Sequence, residues 1–225
     1  MRLPNAEHAA HPWVIAQVAP DFELIDAWAL PAQGGRDGFD ALLKIMAALD
    51  GANAESALTR ALFRVRYQLG AWFGWDDAAR QLPIPGCTET TLSQRLPVNL
   101  RGSATGLDLS PASFTPLYRT RNEWAAELSN GTVHAVLHLA WVEQGKDRHR
   151  GQMGVYVKPR GKLGATYMAL IRPFRHLIVY PALMRQIGRA WQARRALPAT
   201  PATGSPVSIN HPRNLSAGPE RRATG

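Results

Sequence analysis

The run from Leu163 to about Arg195 is the longest periodic stretch in the chain, and its period does not fit one straight amphipathic helix. Placed at about 100° per residue, Leu163, Tyr167, Leu170, Phe174, Leu177 and Ile178 share a face, with Arg172, Arg175 and His176 opposite. Further along, the apolar set is Tyr180, Met184, Ile187 and Trp191, with Arg185 and Arg189 opposite. The second stripe is rotated from the first by roughly 100°. A straight helix docked through one stripe therefore exposes the other. Pro181 has no N–H to give the carbonyl of Leu177, and Pro173 raises the same problem at Ala169. The expectation is a helix in two or three segments, bent around a core.

That core needs a partner layer, and the remaining chain offers strands. The valine-rich run from Thr132 to Val142 reads as a strand; Gln144-Gly145-Lys146-Asp147 turns the chain, and Gln152 to Lys158 returns as its hairpin partner. Phe22 to Trp28 reads as an earlier strand, and Thr115 to Arg121 as another. Gly34-Gly35-Arg36-Asp37-Gly38 is a loop without the glycine spacing or the lysine of a phosphate cradle. Phe39, Leu42, Leu43, Met46 and Leu49 mark a short helix ended by Asp50-Gly51. A second helix begins at Ser56, with Leu58, Leu62, Val65, Leu69 and Trp72 at helical spacing and Arg60, Arg64 and Gln68 opposite. Asn122 to Leu128 reads as a capped helical turn or a strand continuation, with the capping asparagine and two alanines favouring the helix. Ala78 to Pro116 is an irregular connection. The fold class is α+β: an antiparallel sheet gripping a long, kinked C-terminal helix, with two helices between the first and later strands. Residues 1–195 are read as a single domain. Residues 196–225 are read as a Pro/Ala/Arg-rich tail, disordered from Pro198.

Charge and cysteine content narrow the function classes. The net charge of +9 favours solubility, but the arginines are spread along several helices and the tail rather than clustered, so no specific nucleic-acid partner is expected. Cys87 is the only cysteine, which excludes an internal disulfide and any multi-cysteine metal site. It lies in a turn-rich stretch and reads as incidental. Met1-Arg2-Leu3-Pro4-Asn5 lacks a signal peptide's apolar region, and the most apolar stretch, Leu163 to Trp191, carries four arginines. No transmembrane segment and a cytoplasmic location are expected.

His134 and His138 stand four apart. On a strand that separation is about 13 Å, too far for one metal ion, so no metal site is expected. They alternate with Val133, Ala135, Leu137, Leu139 and Trp141, which form the more apolar face. The pattern taken alone puts the histidines on a polar outer face. The alternative is a wet cavity lined by His134, His138 and Tyr156, where neutral imidazoles orient a ligand or move protons.

The stretches Thr132-Val133-His134-Ala135-Val136-Leu137-His138-Leu139, Gly151-Gln152-Met153 and Tyr167 through Pro181, together with Met1-Arg2-Leu3-Pro4 and Phe114-Thr115-Pro116-Leu117-Tyr118, resemble an uncharacterised bacterial family, domain of unknown function 2867. The resemblance covers roughly Arg2 to Trp191. The family is similar in outline to START-like helix-grip proteins, which implies a curved sheet wrapping a C-terminal helix around an apolar cavity. It brings no catalytic residues. Domains of this type occur behind nucleotide-binding Rossmann domains in some proteins, but no Gly-rich fingerprint is present here, so no cofactor is expected.

The leading functional expectation is a binding module for a small apolar or aromatic molecule held between sheet and helix, with His134, His138, Tyr156, Tyr118, Arg175 and His176 as candidate ligand-binding residues. The alternative is an enzyme on the same scaffold, a cyclase, dehydratase or hydrolase using acid–base chemistry. Peripheral membrane or nucleic-acid binding through basic surfaces is the third class.

Overall fold

A computed structural model describes residues 1–49, 89–104 and 114–196. The expected second helix from Ser56, Cys87 and the tail from Pro198 lie outside the described residues. Six strands form one open antiparallel sheet: β1 (Arg2–Leu3), β2 (Glu23–Gly34), β3 (Thr115–Arg119), β4 (Glu123–Ser129), β5 (Val133–Glu143) and β6 (His149–Pro159), in the order β1-β2-β6-β5-β4-β3. The long β5–β6 hairpin follows from period-2 alternation on both sides of a loop whose Gly145, Lys146 and Asp147 all take positive φ. Helices α1 (Asn5–Ala9) and α2 (Val14–Val18) precede β2, and α3 (Phe39–Ala48) follows it.

Of the two readings of Asn122 to Leu128, the favoured helical turn is not found and the strand is, from Glu123 onward. Glu123 to Ser129 pairs with β5 from Ala140 to His134, and its other edge pairs with β3. Trp124 and Ala126 are buried on one face, Ala125 and Glu127 on the other. A segment buried on two faces between two strands is decided by those partners rather than by the helix propensity of its alanines. Asn130 closes the β4–β5 turn, its Oδ1 accepting from the N–H groups of Thr132 and Val133, both at 2.9 Å.

Both faces of the sheet are covered. On one, Leu30, Leu139, Trp141, Met153 and Trp124 pack against Phe39, Leu42 and Met46 of α3 and against the C-terminal helix. On the other, Val136, Ala140, Tyr118 and Tyr156 pack under Trp13, Ile15, Val18 and Phe22 of the N-terminal segment and under Leu92 and Leu96. His134 and His138 lie on this second face and are buried, so the polar outer face expected of them is not found.

The C-terminal helix runs from Gly161 to Ala196 without interruption at either proline, but it is not uniform. Its halves, α4 (Gly161–Phe174) and α5 (Tyr180–Ala196), are joined by a π turn at Arg175–Val179. That turn lies where Pro181 removes the ordinary donor for the Leu177 carbonyl. A π turn holds one residue more than an α turn, which moves everything after it back by about 100°. The second stripe thus comes round to the side of Arg175 and His176. Tyr180, Ile187 and Trp191 are buried, whereas Leu170 is 69% exposed, Leu177 76% and Phe174 46%. Leu170, Phe174 and Leu177 of the first apolar stripe thus face outward, while Arg175 and His176 from the opposite side face the sheet.

Candidate functional site

The inward-turned polar face of the helix meets a carboxylate. On β2, Leu24 pairs with Tyr156 and Asp26 with Val155, so Ile25 is the extra residue of a bulge. A bulge reverses the alternation that follows it, and here it turns Asp26 toward the helix. Asp26 is fully buried. Its Oδ2 accepts from the Tyr180 hydroxyl at 2.9 Å and lies 3.1 Å from Arg175 Nη2, while Oδ1 lies 2.9 Å from His176 Nε2. Trp28, two residues along the strand, completes the group, its ring centroid 5.0 Å from that of Tyr180 and 6.2 Å from that of His176.

Proximity here does not mean satisfaction. Asp26 Oδ1 and His176 Nε2 face each other at 2.9 Å without hydrogen-bond alignment, and neither has another partner among the described residues. Arg175 Nε and Trp28 Nε1 are likewise buried with none. Asp26 Oδ1 and His176 Nε2 thus keep an ion-pair contact without an aligned hydrogen bond, and each buried polar atom left without one costs about 1–3 kcal/mol. Desolvation lowers the pKa of His176; the charges of Arg2, Arg175 and Arg172 act in the same direction and Asp26 against it. Burial, with the Asp26 charge second, pushes the Tyr180 hydroxyl up, so it remains a donor.

The candidate residues named from sequence do not form one site. Arg175 and His176 are at this sheet–helix junction, whereas His134, His138, Tyr156 and Tyr118 lie on the opposite face of the sheet. There His134 Nε2 is 2.8 Å from Glu127 Oε2, and Glu127 also accepts from Leu92 N–H at 2.9 Å and from Thr91 Oγ1 at 2.5 Å. His138 belongs to a second buried group with His8, Glu123 and Gln152. Tyr118 donates to Glu123 at 3.0 Å, and the Tyr156 ring lies 6.2 Å from that of His138. Burial raises the pKa of Tyr156 to about 12.

Sequence reasoning missed Asp26, His8, Glu123 and Glu127. Glu123 and Glu127 were hidden by the helical reading of their segment; read as a strand, they alternate onto one face with Ala125. Asp26 was hidden by the bulge, which no simple alternation reveals.

A family model described as "Protein of unknown function (DUF2867)" matches residues 18–182, most of the chain and every strand but the first. No curated protein and no solved structure matches.

Proposed function

The chain belongs to the DUF2867 family, and we propose that it binds a small molecule with an apolar or aromatic body at the junction of sheet and C-terminal helix. The supporting observation is the group of buried polar atoms lacking a hydrogen bond on the neighbouring residues Asp26, Trp28, Arg175 and His176, the last two in the π turn. Such turns are frequent at functional sites. A ligand offering both a donor and an acceptor satisfies Asp26 Oδ1 on one side and the Arg175 and Trp28 N–H groups on the other. The indole of Trp28 and the phenol of Tyr180 give its body flat apolar walls.

Thermal-shift and native mass-spectrometric screening of small aromatic and lipid-like compounds tests this reading. At a hundredfold excess over Kd a ligand adds about 2.7 kcal/mol, or a rise of roughly 5–10 °C for a protein this size. The rise should vanish in Asp26→Asn and Trp28→Phe and persist in Leu170→Glu, which lies on the outer side of the helix. Ligand binding that survives both junction substitutions would refute it.

A further inference from the structure

One side of the C-terminal helix is left uncovered by the described residues. Leu170, Phe174 and Leu177 stand at i, i+4 and i+7, on one face of the helix, and are 69%, 46% and 76% exposed. Ala169 and Pro173, beside them, are exposed as well. Single apolar residues at a surface are ordinary, whereas a row of them on one element marks a surface that meets something. The π turn continues this side in a different chemistry. It brings Tyr180, Ile187 and Trp191 onto the sheet, so Arg185 and Arg189, which lie opposite that stripe, come out on the exposed side. The outward side therefore runs from apolar in α4 to basic in α5.

The charge on the helix has one sign. From Gly161 to Ala196 it holds seven lysines and arginines, the first Lys162 and the last Arg195, and no aspartate or glutamate. No acidic residue occurs anywhere between Asp147 and Glu220. Arg175 is turned inward onto Asp26, but Lys162, Arg172 and Arg185 are exposed. A solvated helix ordinarily mixes both signs and pairs them at i, i+4; this one sets cations around an apolar row. An anionic bilayer answers both halves of that pattern, with headgroup phosphates for the cations and the edge of the acyl layer for the leucines and the phenylalanine. A second copy of the helix would bring more cations and no carboxylate to meet them. A nucleic acid would engage the arginines and leave Leu170, Phe174 and Leu177 in water.

We propose that the outward side of the C-terminal helix docks the protein on an anionic lipid surface. The 14 residues of α4, about 21 Å in length, lie in the plane of the interface. Leu170, Phe174 and Leu177 enter the boundary between headgroups and acyl chains. Lys162 and Arg185, exposed at either end of the apolar row, reach lipid phosphates while their aliphatic stems follow the apolar layer. Three apolar side chains are a small anchor, so attachment is reversible and depends on charge, each cation near the surface contributing about fivefold in partitioning at low salt. The docking is peripheral: among the described residues no helix is long and apolar enough to cross a membrane. It is also separate from the junction, whose Asp26 lies on the sheet side of the same helix.

Sedimentation of the full chain with vesicles of phosphatidylcholine, alone or with one part in three of phosphatidylglycerol, tests the proposal. Partitioning onto the anionic vesicles should be at least about tenfold stronger at about 0.1 M salt. That preference should collapse at about 1 M, where the screening length falls from about 10 Å to about 3 Å. The double variant Leu170→Glu, Leu177→Glu should partition at least about tenfold more weakly while keeping the wild-type circular dichroism. Arg185→Gln should lose about fivefold on the anionic vesicles and nothing on phosphatidylcholine. A wild-type protein that sediments with neither vesicle overturns the proposal. So does binding that survives in the folded double variant, the outcome expected of arginines acting alone, as on a nucleic acid. Unfolding of the double variant, or its conversion from dimer to monomer in size-exclusion chromatography, overturns it too, because the stripe would then be packed against protein.

Discussion

His8 and His138 carry a cost of burial that depends on pH. Both have folded pKa values below the ordinary 6.5, that of His8 about 4. Between those values the unfolded chain binds more protons than the folded one. Stability from this source is therefore complete above about pH 6.5, falls as the pH drops through the window and levels off below it. For His8 the slope within that window is at most about 1.4 kcal/mol per pH unit, and His138 acts in the same direction. Urea midpoints at pH 7.5, 6 and 5 should fall in that order, and less steeply in His8→Gln. Gly154 is the second residue-scale feature: a Cβ there would stand 2.6 Å from His8 Nε2. Gly154→Ala forces His8 or the strand to move, at roughly 1–3 kcal/mol, and should shift the His8 imidazole resonances. That His134 and His138 share a face, as Tyr156 does, was legible from alternation. That the face is buried was not, because it is covered by two five-residue helices too short to show a period.

The C-terminal helix shows how far periodicity carries at the scale of an element. Its existence, its approximate bounds and the offset between its stripes were all readable from the residues. The side facing the sheet was not, since a π turn absorbs the offset by inserting a residue and the sheet offers a carboxylate to the polar face. Substitutions should reveal this inversion directly. Leu170→Glu and Leu177→Glu, on the outward stripe, should change stability by no more than about 0.5 kcal/mol. Ile187→Ala should cost about 2–5 kcal/mol, read from the same denaturation curves. The reverse ranking would mean that the first stripe is the docked one. The same lesson holds for β4, where local propensity favoured helix and two flanking strands decided otherwise.

As a whole, the described part of the molecule is a sheet with a layer on each side. The α+β class and most of the strands were legible, because hairpin alternation is a local signal. The N-terminal layer was not, since it acts through Trp13, Ile15, Val18 and Phe22, of which only Ile15 and Val18 lie within a helix, one five residues long and too short for its period to be read. Deleting residues 1–22 should therefore unfold the protein rather than trim it, with loss of the circular dichroism signal or of soluble yield. Among the described residues no helix is long and apolar enough to cross a membrane. Covering both faces also has a consequence in time. The backbone amides in the middle of β5 and β6 are bonded within the sheet and covered above and below, so no local fluctuation brings water to them. They should exchange with solvent only when the whole molecule opens, and at a common rate from strand to strand, which makes this hairpin the natural clock for global unfolding.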